Sequence, residues 1–173
     1  PGVFNPEKLL WLNAHYIKER SAESLVPVLR PFLDQRGCSA KPDGYLAEAI
    51  CTFQPRVHTL VEMADAMRVY FVEKVELDPA AAGKFLTEIM EEPFERLISA
   101  IEQMDDFRQE SLEGVFQQIL NDMGLKFGKI AQPVRVALTG GTVSPGLFEM
   151  MGVMGKETVL DRLKRGLEYI RSR

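Results

Sequence analysis

KFGKIAQPVRVALTGGTVSPGLFEMMGVMGKETVLDRL, residues 126–163, is the stretch on which the fold class turns, because it contains VRVAL (134–138), the only strand candidate in the chain. Branched apolar residues suit a pleated, half-buried surface, but this run is short and helical context flanks it on both sides. We therefore read 127–139 as a short helix, Gly140-Gly141 as a turn, and a further helix as starting near Ser144-Pro145. A last helix runs from Lys156 to Ile170 after Gly155. With its one strand candidate absorbed into a helix, the chain is expected to be all-α.

Outward from this stretch the same signals recur. Ser111 to Met123 is amphipathic and halts at Gly124, a residue type that ends helices. Asp78-Pro79 pairs a capping side chain with proline at the first helical position, and opens a long helical stretch broken at Pro93. Beyond Pro93, Phe94, Leu97, Ile98 and Ile101 are periodic. Thr59 to Val72 reads as a helix, and Tyr45, Leu46, Ala49 and Ile50 mark another that stops before Pro55, after the turn-rich CSAKPDG (38–44). Ser21 with Ser24 opens a helix ending at Gly37, which Pro27 and Pro31 must kink or shorten. Asn5-Pro6 starts the first, near 6–19. The expectation is two small helical-bundle subdomains, 1–77 and 78–173.

The 173 residues are 46% hydrophobic and 27% charged, an ordinary globular composition. Cys38 and Cys51 show no CxxC or Cys/His clustering, so no disulfide scaffold or zinc site is indicated, and a reducing, cytoplasmic setting is expected. No apolar run approaches the roughly 20 residues of a membrane span, and PGVFNPEK lacks the pattern of a secretory leader. No membrane partner is expected. Beginning at Pro1 without methionine, the sequence reads as cut from something longer.

The net charge of −4 hides an uneven distribution. Residues 1–78 hold 9 Lys/Arg against 11 Asp/Glu, residues 79–123 hold 3 against 10, and residues 124–173 hold 9 against 4. The last third is basic, which fits either a solvated helix face or an anionic partner. Within it, Gln132-Pro133, Gly140-Gly141 and Ser144-Pro145-Gly146 bracket Arg135 and bring helix termini, with their free N–H groups, into the basic region.

Catalytic patterns are missing: the chain has no GxGxxG, P-loop, HExxH or GxSxG. His15 reads as a packed or partly exposed helical residue and His58 as a surface one. Glu91-Glu92 and Asp105-Asp106 are adjacent in sequence, so their side chains diverge on a helix and read as solvated. Met150, Met151 and Met154 read as core. Neither catalytic residues nor a metal site are expected.

FNPEKLLWLNAHYIK (4–18) and the 126–163 block together resemble the C-terminal half of bacterial-type glutamyl-tRNA synthetases (glutamate–tRNA ligases). There a W-(L/M)-N-x-x-Y-I stretch opens the helical region, and A-Q-P-x-R-x-A-L-T-G followed by (S/T)-P-G-L-F-E lies in the last helical domain. The resemblance implies an all-α anticodon-binding region of two subdomains that binds tRNA(Glu), as a monomer and without DNA, and catalyses nothing alone. The HIGH-type and KMSKS-type signatures of the family's catalytic part do not occur here. The full-length parent would use ATP and Mg2+; the fragment would hold neither.

By itself Arg56 reads as a surface arginine beside a helix-ending proline. The resemblance matches it to the family's arginine for the third anticodon base, cytosine in glutamate tRNAs and guanine in glutamine tRNAs. It likewise matches Arg135, Ser144, Pro145 and Leu147 to residues that approach the anticodon. Ser144 stands where threonine is common, keeping the hydroxyl and losing a methyl. Lys126, Lys129, Lys164 and Arg165 would then attract phosphates without regard to sequence. Trp11, Asn13 and Tyr16 match the family with a structural role at the junction to the catalytic part. Two alternatives remain open: a helical protein-interaction module with no RNA role, and part of a relaxed ligase that also charges glutamine tRNA.

Overall fold

The cap-plus-proline starts anticipated at Asn5-Pro6 and Asp78-Pro79 are in place in the computed structural model, which describes residues 5–38 and 41–173, whereas the helix expected near Ser144-Pro145 begins at Leu147. The chain start PGVF and Ser39-Ala40 of the CSAKPDG turn lie outside the described residues. Asn5, Ser21, Thr59 and Asp78 accept hydrogen bonds from the backbone N–H groups of Lys8, Ser24, Glu62 and Ala81, satisfying donors that have no partner inside the helix. The described residues form ten α-helices and no strand, and they divide into two compact units that meet at Val72 and Glu73.

The first unit contains α1 (Pro6–Glu19), α2 (Ala22–Asp34), α3 (Asp43–Phe53) and α4 (Leu60–Met67), the last tightening into a 3-10 turn at Arg68–Tyr70. That turn ends the fourth helix short of the Val72 expected. Leu25, Leu29, Leu33, Leu46, Ile50, Met63 and Met67 are fully buried between α2, α3 and α4. Helix α2 continues through both Pro27 and Pro31. Both prolines are exposed, so the helical bonds they remove lie on the solvent side, where water satisfies the freed carbonyls. The helix stops at Asp34, and Gly37, at φ +68°, closes the turn behind it. Helix α1 buries only Ala14 and Ile17 and leaves Leu9, Leu10, Leu12, Tyr16 and Trp11 exposed, Trp11 at 65%.

The second unit holds α5 (Pro79–Phe85), α6 (Glu91–Glu102), α7 (Gln109–Met123), α8 (Phe127–Thr139), α9 (Leu147–Met154) and α10 (Lys156–Arg171). Its break falls at Leu86-Thr87, followed by a 3-10 turn at Glu88–Met90, and not at Pro93. Pro93 is the third residue of α6, where a backbone N–H would have no helical acceptor, so proline costs nothing there. Helix α10 packs on both α6 and α8, closely enough at Gly166 that a Cβ would lie 2.8 Å from that of Ala137. Phe94, Phe116, Val134, Leu138, Met150, Met151 and Leu163 fill the core, and Met154 is buried with them. Burial of each such side chain is worth about 1.5–3 kcal/mol. Gly155, at φ +80° and ψ 159°, ends α9 and caps α10 at once.

Candidate nucleic-acid interface

VRVAL lies wholly within α8, and the turn between α8 and α9 builds the best-defined polar feature of the basic third. Gly140 takes φ +81° after the last helical residue, Thr139. Its carbonyl accepts from the Asp78 N–H at 2.8 Å, and a Cβ at this position would collide with the Glu76 carbonyl oxygen. The Thr139 hydroxyl donates to the Arg135 carbonyl at 2.8 Å and also lies within hydrogen-bond reach of Gly141. The turn is thereby pinned at both of its glycines.

Across this turn Arg135 donates from Nε to Ser144 Oγ at 2.7 Å, while the Ser144 hydroxyl donates to the Pro145 carbonyl at 2.9 Å. The hydroxyl's one proton goes to that carbonyl and one of its two lone pairs to Arg135 Nε, so the guanidinium is held in a set direction. Arg135 is half-buried, and burial pulls its pKa below the usual arginine value. Among the described residues no carboxylate pairs with it, and its Nη groups have no acceptor. A partly desolvated cation with donors to spare suits an external acceptor pair or anion. Pro145 is buried and Leu147 is only 4% exposed: as the first residue of α9, Leu147 packs inward and presents little apolar surface to a ligand approaching the turn.

Arg56, in the first unit, comes just after the end of α3, and its side chain is exposed. Nη1 donates to the Thr52 carbonyl at 2.8 Å, occupying one acceptor left over at a helix C-terminus. No carboxylate among the described residues pairs with it, so the rest of the guanidinium remains available.

The lysines and arginine expected to meet phosphates divide. Lys126 and Lys129 are exposed and have no acidic partner among the described residues. Lys164 is bound to Glu102 at 2.6 Å and Arg165 to Asp161 at 3.1 Å, so each already has an acidic partner. Three of the four acids in the adjacent pairs are occupied too: Glu91 and Glu92 bond Arg171 and Arg96, and Asp106 bonds Arg108 and Ser111, while Asp105 is exposed. His15 stacks on Trp11 at 5.6 Å, and exposed His58 lies 3.6 Å from Glu62. Among the described residues no three His, Cys, Asp or Glu side chains are grouped to hold a metal, and no helix is long and apolar enough to cross a membrane.

One contributor escaped sequence reading. Arg162 is 1% exposed and donates from Nη1 to the Leu138 carbonyl at 2.7 Å, tying α10 to the end of α8 just ahead of the Gly140 turn. Its signal was present: it sits in the apolar stripe Val159, Leu163, Gly166, Leu167 and Ile170, where a cation needs a buried acceptor.

The family described as anticodon binding domain matches residues 22–167. The chain is 62% identical over 169 residues to a glutamate–tRNA ligase of Syntrophobacter fumaroxidans, covering 98% of this chain and 36% of that protein. It is 41% identical over 169 residues to a glutamate–tRNA ligase of Geobacter sulfurreducens, with the same coverage of 98% and 36%. It thus spans little more than a third of the length of these relatives. The crystal structure of a glutamate tRNA ligase from Elizabethkingia meningosepticum, in complex with its amino acid, shares the fold with a TM-score of 0.88 at 23% identity, over 95% of this chain and 32% of that one. Matched over residues 22–167 and built on the same helices, the chain belongs to the anticodon-binding domain family of glutamate–tRNA ligases.

Proposed function

We propose that the chain, acting in two subdomains, recognises the anticodon loop of tRNA(Glu) as part of a cytoplasmic, monomeric glutamate–tRNA ligase. The observation that carries this reading is the Arg135 guanidinium, half-desolvated, aimed by Ser144 at 2.7 Å and paired with no carboxylate among the described residues. Unpaired bases in an RNA loop offer the acceptors and phosphates such a group lacks. Pro145 and Leu147 then act by holding the turn that carries Ser144.

Arg56 reads the third anticodon base in this proposal. Its fork carries donors only, and the Watson–Crick edge of cytosine presents O2 and N3 as adjacent acceptors. Guanine places N1–H and N2–H donors at the equivalent edge, so donor would face donor. The single tether to the Thr52 carbonyl orients the fork without consuming it. By analogy with base-edge contacts in DNA, losing the bidentate pair removes about 1–3 kcal/mol of discrimination.

The ligase reaction of such a parent uses ATP and Mg2+. The residues of this chain do not fit either: the sequence has no phosphate-cradling glycine loop, and no metal-binding group of side chains occurs among the described residues. No chemical step is assigned to it.

The test is binding to two labelled anticodon stem-loops that differ only at the third anticodon base. Tighter binding of the cytosine form, weakening with salt and losing its preference in Arg56→Gln, is the expected result. Equal affinity for the two loops would remove discrimination and leave the relaxed-ligase reading. Indifference to RNA at low salt would leave a protein-interaction module.

A further inference from the structure

We propose that Phe127, with Lys126 and Lys129, forms a second nucleotide-binding surface, a platform for one unpaired base of single-stranded RNA and an adjoining phosphate. The proposal rests on the RNA reading above but uses none of its residues except the two lysines, which were assigned there to no base. Phe127 opens α8 and lies eight residues, about 12 Å of helix, from Arg135.

The ring is 44% exposed, although α8 buries Ile130, Ala131 and Val134 from its following turns. It is nonetheless fixed. Its centroid is 5.6 Å from that of Phe148 and 6.4 Å from that of Phe116, and those two rings meet edge to face at 5.0 Å. A phenyl ring held by two others and partly open to solvent offers a stacking face at little cost in side-chain entropy.

Charge identifies the occupant. From Lys84 to Arg173, every cation has an acid, a carbonyl, a hydroxyl or an aromatic ring as partner among the described residues, with two exceptions, Lys126 and Lys129. These two flank the exposed ring. They also occupy the N-cap and third positions of α8, whose first turn contains no acid and whose N-terminus has no side-chain cap. Acids are favoured there and cations are not, because the helix dipole already concentrates positive charge. An anion relieves that repulsion. Gly128 leaves the space beside them open, since a Cβ there would meet nothing within 4 Å. A ligand with both a flat apolar face and a phosphate is a nucleotide, and an unpaired one has its face free to stack.

The experiment measures the affinity of the 173-residue chain for an anticodon stem-loop over a salt series. Phe127→Leu keeps an apolar side chain and removes the stacking face; it should weaken binding roughly 5- to 100-fold without altering the dependence of log affinity on log salt. Lys126→Gln/Lys129→Gln should do the converse, flattening that dependence by about 0.7 per lost phosphate contact. Phe127→Trp should keep wild-type affinity and show RNA-dependent quenching beyond the response of Trp11 in the parent chain. Wild-type affinity in Phe127→Leu, alongside a loss in Arg135→Gln, would overturn the platform and leave the RNA reading standing. Failure of the wild-type chain itself to bind would overturn both.

Discussion

Replacing Gly140 by alanine separates two costs that the fold imposes at the turn after α8. The first is backbone: at φ +81° an L side chain is strained by about 1–2 kcal/mol. The second is collision, since the added Cβ meets the Glu76 carbonyl and must push apart the segment whose Asp78 N–H bonds the Gly140 carbonyl at 2.8 Å. Leaving those groups unpaired adds about 1–2 kcal/mol, for a total near 2–4 kcal/mol. Two other glycines calibrate the sum. Gly124, at φ +63° with open space around it, should lose only about 1 kcal/mol as alanine. Gly141 has neither positive φ nor a close neighbour, and its alanine variant should be neutral or slightly more stable. Thermal and urea unfolding followed by circular dichroism would rank the three, with Gly140→Ala lowering Tm by roughly 4–16 °C. RNA affinity should fall with it, because the same turn carries Ser144. If Gly140→Ala proves no worse than Gly124→Ala, the Glu76 contact is not what fixes the turn.

Other consequences are open to measurement. Arg108 first, and then Ser111, hold the Asp106 carboxyl down from 3.8 to about 2; because this is below its unfolded value, the stabilisation is present above about pH 4 and disappears as pH falls through 2. A carboxyl titration by NMR should show that midpoint, one near 3.8 would contradict the pairing, and Asp106→Asn should remove this acid-sensitive contribution. Arg162→Met leaves the Leu138 carbonyl without its 2.7 Å donor and should cost about 1–3 kcal/mol in urea unfolding, with Arg162→Ala worse by a cavity; unchanged midpoints would show that the bond is dispensable. Lys164→Gln and Arg165→Gln should leave the salt dependence of RNA binding nearly unchanged, since Glu102 and Asp161 already hold those charges. A slope reduced by about 0.7 in either variant would place that side chain on a phosphate.

Helix starts were legible because capping is local: Asn5-Pro6, Ser21, Thr59 and Asp78-Pro79 each name their own hydrogen-bond partner within three residues. The extent of α8 was legible for the same reason, Gly140 being the only residue type at ease in its backbone conformation. Interior prolines were harder. Whether Pro27 and Pro31 break α2 depends on which side of the helix faces water, and whether Pro93 breaks α6 depends on where the first turn begins. Both are set by packing partners distant in sequence. The site divides along the same line. The types of Arg56, Arg135 and Ser144 and their sequence context singled them out, but the ion pairs that occupy Lys164 and Arg165, and the inward turn of Leu147, are tertiary facts. Arg162 was visible as an interruption in an apolar stripe; its acceptor, 24 residues away, was not.

Gly155 is a joint with no slack. With α9 ending and α10 beginning on the same residue, inserting a single amino acid would rotate everything downstream by about 100°, carrying Val159, Arg162 and Leu163 away from the partners they now face. Its backbone angles also confine the position to the one amino acid without a side-chain carbon. Loops elsewhere in this domain can lengthen over evolutionary time; this junction can tolerate neither a longer spelling nor a different letter.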